Sequence, residues 1–305
     1  MIADLEELFA PIGATAFFDR HYERGALHLT AKGGERRGVL SHAELRQAIA
    51  SVEGVPEGVV CFPEHVGMTA EGLFSEAGAL DAYLAAGHPI VWNRARGISA
   101  GVDALSELLG RAFGAHVWPN VYSTGEAGTP FDMHFDAHEV IAIQCEGEKE
   151  WTISEVRVDR PLDVAEMEAA VKGALRGRRE EAAGRTAMQM TVRPGDLVYV
   201  PRGQFHNARA TGGRSLHVTF GLSLPVGFEL GRVVLGEMLA DPAMRELLPP
   251  VAADESGERT AEQLVELSER LREAMSPERL ARAAMGLRAH WARGRGGGRG
   301  EGSFC

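Results

Sequence analysis

The sequence predicts a mainly β fold with helical additions at both ends, built around a small antiparallel barrel or sandwich. Three observations carry this. Between about 118 and 225 the chain passes through short β-rich runs, HVWPNVYS, HEVIAIQC, EKEWTIS, AMQMTV, DLVYVP and SLHVTFGLS, broken by glycine and proline. Many short strands at close spacing, joined by tight turns such as Glu146-Gly147, build sandwiches or barrels. Residues 1–118 instead alternate helical patches with turns, and residues 228–292 carry helical periodicity. The expected organisation is an N-terminal supporting region (1–118), a core (119–227) interrupted by an insertion (164–185), a helical region (228–292) and a disordered Gly/Arg tail (293–305).

Each element has a local reason. Ser41 followed by Glu44 is a capping box that opens the helix SHAELRQAIA. A second helical patch, Ala79 to Ala86, stops at Gly87, and PIVWN after it reads as a buried strand. The insertion reads as helix and loop with a positive bias from Lys172, Arg176, Arg178, Arg179 and Arg185, most simply a solvated connection. Thr260 with Gln263 reads as a capping box before the apolar stripe Leu264, Leu267, Leu271 and Met275. Ser276-Pro277 reads as an N-cap and first-turn proline before Leu280, Ala284, Leu287 and Trp291. These stripes need covering by the barrel, by each other or by a second copy of the chain, so a homodimer through these helices is one of three arrangements.

Composition excludes several classes. With 305 residues, 45% of them hydrophobic, the chain can bury a core without disulfide or zinc staples. A net charge of -11 opposes general affinity for nucleic acid or an anionic membrane. No run approaches the roughly 20 apolar residues of a membrane helix. The start, MIADLEELF, is acidic where a signal peptide is basic. Cys61, Cys145 and Cys305 are dispersed, which fits a reducing cytoplasm. Neither a GxSxG elbow nor a phosphate-binding loop is present.

The chemistry concentrates in two segments. In GTPFDMHFDAHEVIAIQCEGEKEW, strand alternation sends His134 and Asp136 to one face, with His138, Val140, Ala142 and Gln144 following on it. In GDLVYVPRGQFH, a buried strand ends at Pro201, and Gly203 leads to His206 at the strand end, where it can face the first pair across a barrel. Two histidines and one carboxylate are the donor set of non-haem Fe(II) sites. Zinc on the same ligands stays chemically open. A third ligand from one short strand would crowd the ion, so His138 and Gln144 are expected on the substrate side or among supporting groups. Trp118 and Trp151 read as core aromatics, Cys145 as a small hydrophobe and His217 as a core histidine near Thr219.

Gly128-x5-His134-x-Asp136 and Gly195-x5-Pro201-x-Gly203-x2-His206 resemble the two cupin motifs, with Asp136 replacing a histidine and Ala210 standing where asparagine is common. More specifically, NVYSTGEAGTPFDMHFDAHEVIAIQCEGEKEW, PGDLVYVPRGQFHNA and SLHVTFGL are similar to the JmjC-type ribosomal oxygenases and their cupin-like bacterial relatives. FFDRHYERGALHLT extends the likeness weakly toward the N-terminus, so it covers about 20–225. The resemblance implies a double-stranded β-helix (cupin/JmjC jelly roll) that binds Fe(II), 2-oxoglutarate and O2. It implies His134, Asp136 and His206 as metal ligands and catalytic residues, Lys149 as the partner of the distal 2-oxoglutarate carboxylate, and Asn120, Tyr122 and Thr219 around that cosubstrate. The implied reaction hydroxylates a side chain of a peptide, protein or amino acid and yields succinate and CO2. A basic target suits the acidic chain. Relatives carry a dimerisation bundle plus a winged helix after the barrel, and the 65 or so residues from 228 to 292 are few for both. That leaves a ribosomal target open. Two other classes stay open: a metal-binding cupin without oxygenase activity (sensor or isomerase), which has no need of Lys149, and a partner-binding module that uses the C-terminal stripes.

Overall fold

The computed structural model describes residues 2–33, 35–61, 67–76, 78–124, 132–162 and 177–292. Gly128, Lys172, Arg176, the 293–305 tail and most of the insertion lie outside the described residues. In chain order the labelled elements are α1 (Leu5–Leu8), α2 (Ala14–Arg20), β1 (Leu27–Leu29), α3 (His42–Ala50), β2 (Val59–Cys61), α4 (Ala70–Ser75), α5 (Ala79–Ala85), β3 (Ile90–Trp92), α6 (Ala100–Phe113) and β4 (His116–Thr124). Then follow β5 (Glu139–Glu146), β6 (Lys149–Arg157), β7 (Thr186–Val192), β8 (Leu197–Val200), β9 (Gln204–Ala210), β10 (Ser215–Ser223), α7 (Gly227–Met238), α8 (Glu258–Ala274) and α9 (Pro277–Ala292).

The strands form two antiparallel sheets, a larger one in the order β1-β8-β5-β10-β4-β3-β2 and a smaller one in the order β7-β6-β9. His134 pairs with His206 and so adds its segment beside β9. Alternation along each strand decides what faces what. On β10, Leu216, Val218, Phe220 and Leu222 join the outer core with Val102, Leu105 and Leu109 of α6 and Leu8, Phe9 and Phe17 near the N-terminus. The intervening His217, Thr219 and Gly221 turn toward the space between the sheets. An inner core of Val140, Ala142, Val198 and Val200 from the larger sheet meets Trp151, Ile153 and Val192 from the smaller. One face of the large sheet therefore carries the helices, and the other lines the jelly-roll interior.

The N-terminal region is tied directly into the barrel. β1 pairs with β8, and the buried Arg36 guanidinium donates to the carbonyls of Leu8, Ala10, Leu29 and Gly195. The Ser41–Glu44 capping box forms as expected, and the patch after Gly78 is α5. The helix α6, capped by Ser99 and ended by Gly114, was not anticipated by the sequence reading.

At the other end, α7, α8 and α9 share a small core of Val234, Met238, Ala274 and Ala283, with Leu271, Met275 and Leu280 against it. Thr260 is not an N-cap: α8 starts earlier, at Glu258, and the Asp254 carboxylate accepts from both the Thr260 amide (2.8 Å) and hydroxyl (2.6 Å). An acidic side chain six residues upstream outcompetes the local box. The α8 stripe is only partly covered, with Leu264 half exposed. Ser276 does accept from the Arg279 amide at the start of α9. Among the described residues no helix is long and apolar enough to cross a membrane.

Candidate active site

The smaller sheet gathers the donor residues. Gly203 takes a positive φ of 80°, a conformation that glycine adopts without strain, and this turn sends the chain from β8 into β9 of the other sheet. His206 is thus the third residue of a strand of its own, not the end of the preceding core strand. Antiparallel bonds join it to His134 (His134 N to His206 O, 3.0 Å; His206 N to His134 O, 2.7 Å). The Gly203 amide donates to the Asp136 carbonyl at 2.7 Å. The three residues therefore sit side by side on one sheet instead of facing one another across the barrel. The expected continuous strand from His134 to Gln144 is also broken. The chain bends at 137–138, and β5 begins at Glu139 in the larger sheet.

One ligand atom from each of His134, Asp136 and His206 lies within 4.8 Å of the others. Each histidine donates its Nδ1 proton to a backbone carbonyl, of Asp132 and Gln204 respectively, at 2.9 Å. That fixes the tautomer and leaves each Nε2 lone pair for a metal. Burial, reinforced by His134, pushes His206 down to about 4, so its ring is neutral and free to ligate at ordinary pH. Burial alone would raise the Asp136 carboxyl, but His138, His206 and His134 outweigh it and hold it below the usual range. Two imidazoles and one carboxylate on a common point fit a divalent metal.

Farther along the interior lies Lys149, the first residue of β6 and only 1% exposed. Its neighbour Glu148 points outward to Arg193 (3.0 Å). Gly147, at φ 64°, makes the turn that aims Lys149 inward, and a Cβ there would stand 2.1 Å from the Arg214 carbonyl. Among the described residues no carboxylate forms a salt bridge with Lys149, and burial lowers its amine to about 7. The Nζ lies 5.9 Å from the centre of the Tyr122 ring.

Aromatic rings connect this lysine to the donor residues. His217 stacks on Tyr122 (4.7 Å, 6°), Trp151 meets His217 edge-on (5.7 Å), and the Trp151 face lies parallel to His206 (5.8 Å, 11°). Thr219 is in register with Asn120 on one side and Ala142 on the other. The Asn120 Oδ1 accepts from the Arg94 amide at 2.9 Å, which orients its NH2 group. Gln144 holds the β5–β6 turn through its amide nitrogen, which donates to Glu146 O (2.8 Å), Gly147 O (3.1 Å) and Ser215 Oγ (2.8 Å). It thus stands at the lysine end, not beside the donor triad. Gln144 Oε1, Trp151 Nε1 and His217 Nδ1 are buried without partners among the described residues. The two unpaired ring nitrogens, Trp151 Nε1 and His217 Nδ1, and a buried cation with no carboxylate partner among the described residues match a polar anionic ligand. Trp151 is a core aromatic, as its sequence context predicts, and with the buried His217 it also borders the space between Lys149 and the donor residues. Trp151 lies two residues beyond Lys149, so strand alternation was the available signal.

His138 lies outside the convergent set. Its Nε2 is 3.9 Å from Asp136 Oδ1, and its ring meets Trp118 edge-on at 4.9 Å.

Residues 93–230 match the JmjC domain family. The matched stretch contains every residue of the site just described. Curated relatives include ribosomal oxygenase 2 of Bos taurus, 36% identical over 117 residues (38% of this chain, 23% of the relative), and ribosomal oxygenase 1 of Rattus norvegicus, 37% identical over 113 residues (37% and 18%). The bifunctional lysine-specific demethylase and histidyl-hydroxylase NO66 of Aedes aegypti is 33% identical over 120 residues (39% and 18%). The chain thus matches about a fifth of the length of these relatives. Among solved structures, the Escherichia coli ribosomal oxygenase YcfD in complex with cobalt and 2-oxoglutarate shares the fold, with a TM-score of 0.52 at 15% identity over 90% of this chain and 70% of that one.

Proposed function

We propose that this chain is an Fe(II)- and 2-oxoglutarate-dependent dioxygenase that hydroxylates a peptidyl or amino-acid side chain and converts 2-oxoglutarate and O2 to succinate and CO2. The observation that carries the reading is one barrel interior that holds a His-Asp-His donor set and, beyond an aromatic bridge, a buried lysine with no carboxylate partner among the described residues. Iron, when bound, supplies the oxidising chemistry that O2 alone cannot direct at a C–H bond.

The chain's residues do the rest. His134, Asp136 and His206 hold the metal with three donors, which leaves positions for the ketoacid end of 2-oxoglutarate and for O2. Lys149 receives the distal carboxylate in a charge-assisted pair that the dry surroundings strengthen. Asn120, Tyr122 and Thr219 line the path between, and His217 and Trp151 offer it unpaired ring nitrogens. Val140, Ala142, Val198 and Ile153 exclude water from the flanks.

A protein side chain as substrate draws support from relatives named ribosomal oxygenase and histidyl-hydroxylase, and the net charge of -11 favours a basic target. A metal-binding cupin without oxygenase activity would gain nothing from burying Lys149 unpaired. The test is calorimetric titration of 2-oxoglutarate into the metal-loaded chain. Binding lost in His134→Ala and in Lys149→Ala supports the assignment, and binding unchanged by Lys149→Ala returns the reading to the non-oxygenase cupin.

A further inference from the structure

We infer that His138 is a positioning residue for Asp136: its imidazole faces one carboxylate oxygen and so reserves the other for the metal. The inference rests on the metal-binding reading of His134, Asp136 and His206 and adds a role for a residue outside that set.

The two Asp136 oxygens have different neighbours. Oδ2 is 3.5 Å from His206 Nε2, inside the donor cluster, whereas Oδ1 is 3.9 Å from His138 Nε2. The latter distance exceeds a hydrogen bond, so the contact is that of a ring N–H dipole with a carboxylate charge. The tautomer follows from the surroundings. His138 Nδ1 is buried without a partner among the described residues, so a proton there would face nothing, while a proton on Nε2 faces Asp136.

The ring is also held in place. Trp118 meets it edge-on at 4.9 Å, and His116 lies 5.1 Å beyond Trp118 on the same strand. On the opposing strand β10, a Cβ at Gly221 would stand 2.5 Å from Trp118 Nε1 and 2.7 Å from His138 Nε2. Glycine at 221 therefore makes the room in which the His138–Trp118 pair rests against Asp136. A carboxylate with both oxygens unconstrained can swing to two-oxygen ligation and occupy a position that a cosubstrate needs. A fixed donor dipole at Oδ1 opposes that swing and strengthens single-oxygen binding.

The test is a Co(II) titration of the full chain without 2-oxoglutarate, followed by visible absorption, with thermal unfolding as the check on folding. His138→Phe keeps an aromatic ring against Trp118 but removes the dipole, and Gly221→Ala displaces the ring while leaving its chemistry intact. Both are expected to weaken Co(II) binding by about tenfold or more, the range typical of groups that orient metal ligands. His138→Gln, which retains an N–H donor, is expected to recover most of the loss. Wild-type chain that binds Co(II) alongside His138→Phe of equal affinity overturns the inference and leaves the triad standing. His138→Gln as weak as His138→Phe overturns it as well, because the donor would then be irrelevant. Wild-type chain that binds no Co(II) overturns the triad reading itself.

Discussion

Replacing Lys149 by methionine separates stability from function. Lysine in the unfolded chain titrates near 10.5, whereas burial lowers the folded amine to about 7. At ~1.4 kcal/mol per pH unit, that difference costs the ligand-free protein about 5 kcal/mol at or below pH 7 and about 3 kcal/mol at pH 8. The sign follows from proton counting. Between about pH 7 and 10.5 the unfolded chain binds one proton more than the folded chain, so wild-type stability rises with pH across that window. Methionine has a similar unbranched reach and no charge to desolvate. Lys149→Met is therefore expected to be more stable than wild type by about 3 kcal/mol at pH 8, with the gap closing toward pH 10.5, and to lose 2-oxoglutarate binding. Urea unfolding from pH 7 to 10 and calorimetric titration of 2-oxoglutarate measure the two halves. In the wild type, binding above pH 7 should take up a proton, visible as a dependence of the observed heat on buffer ionisation enthalpy. A methionine variant that is less stable than wild type at pH 8, or that binds 2-oxoglutarate normally, refutes the argument that Lys149 is an uncompensated cation held for an anion.

Other expectations follow from single contacts. Gly203→Ala places a Cβ at φ 80° and 2.1 Å from the Val158 carbonyl; backbone strain alone costs about 1–3 kcal/mol, and Co(II) affinity should fall with stability because the Gly203 amide holds Asp136. Unchanged Co(II) binding would show that the β8–β9 turn does not set the site. Tyr199 donates to the buried Glu139 carboxylate, whose protonation burial favours. Tyr199→Phe should cost about 1–3 kcal/mol in urea unfolding, and a neutral result would mean that Glu139 finds another partner. Leu239, Leu247 and Val251 are largely exposed beside the C-terminal helices. Sedimentation should show a dimer that Leu239→Glu weakens, and a wild-type monomer at micromolar concentration would remove the homodimer from the account.

The parts of this site that sequence exposes are those written in short local spacing. His134-x-Asp136 and the Gly195–His206 segment are compact patterns whose members the fold does bring together. The partition of strands between sheets was less visible. QFHNARA does alternate, but its inward positions carry Gln204, His206 and Ala208 in place of large apolar residues, so the strand period is masked. The bend at 137–138 was hidden for the opposite reason, because DAHEVIAIQ continues a plausible strand pattern through the switch from one sheet to the other. Lys149 stands between two glutamates, and its inward place was legible through the family resemblance and the Gly147 turn before it, not through its immediate neighbours. The Thr260 box failed because Asp254, six residues away, competes for the same donors, and no three-residue pattern records that competition.

The most direct test of the central claim is turnover: the iron-loaded chain incubated with O2, 2-oxoglutarate and a peptide library, with succinate and CO2 quantified and peptides weighed by mass spectrometry. The expected result is succinate formed in step with a one-oxygen mass gain on a side chain, abolished by His134→Ala and by Lys149→Ala. Succinate formation that survives both substitutions, or a metal-loaded chain that neither binds nor consumes 2-oxoglutarate, would contradict it.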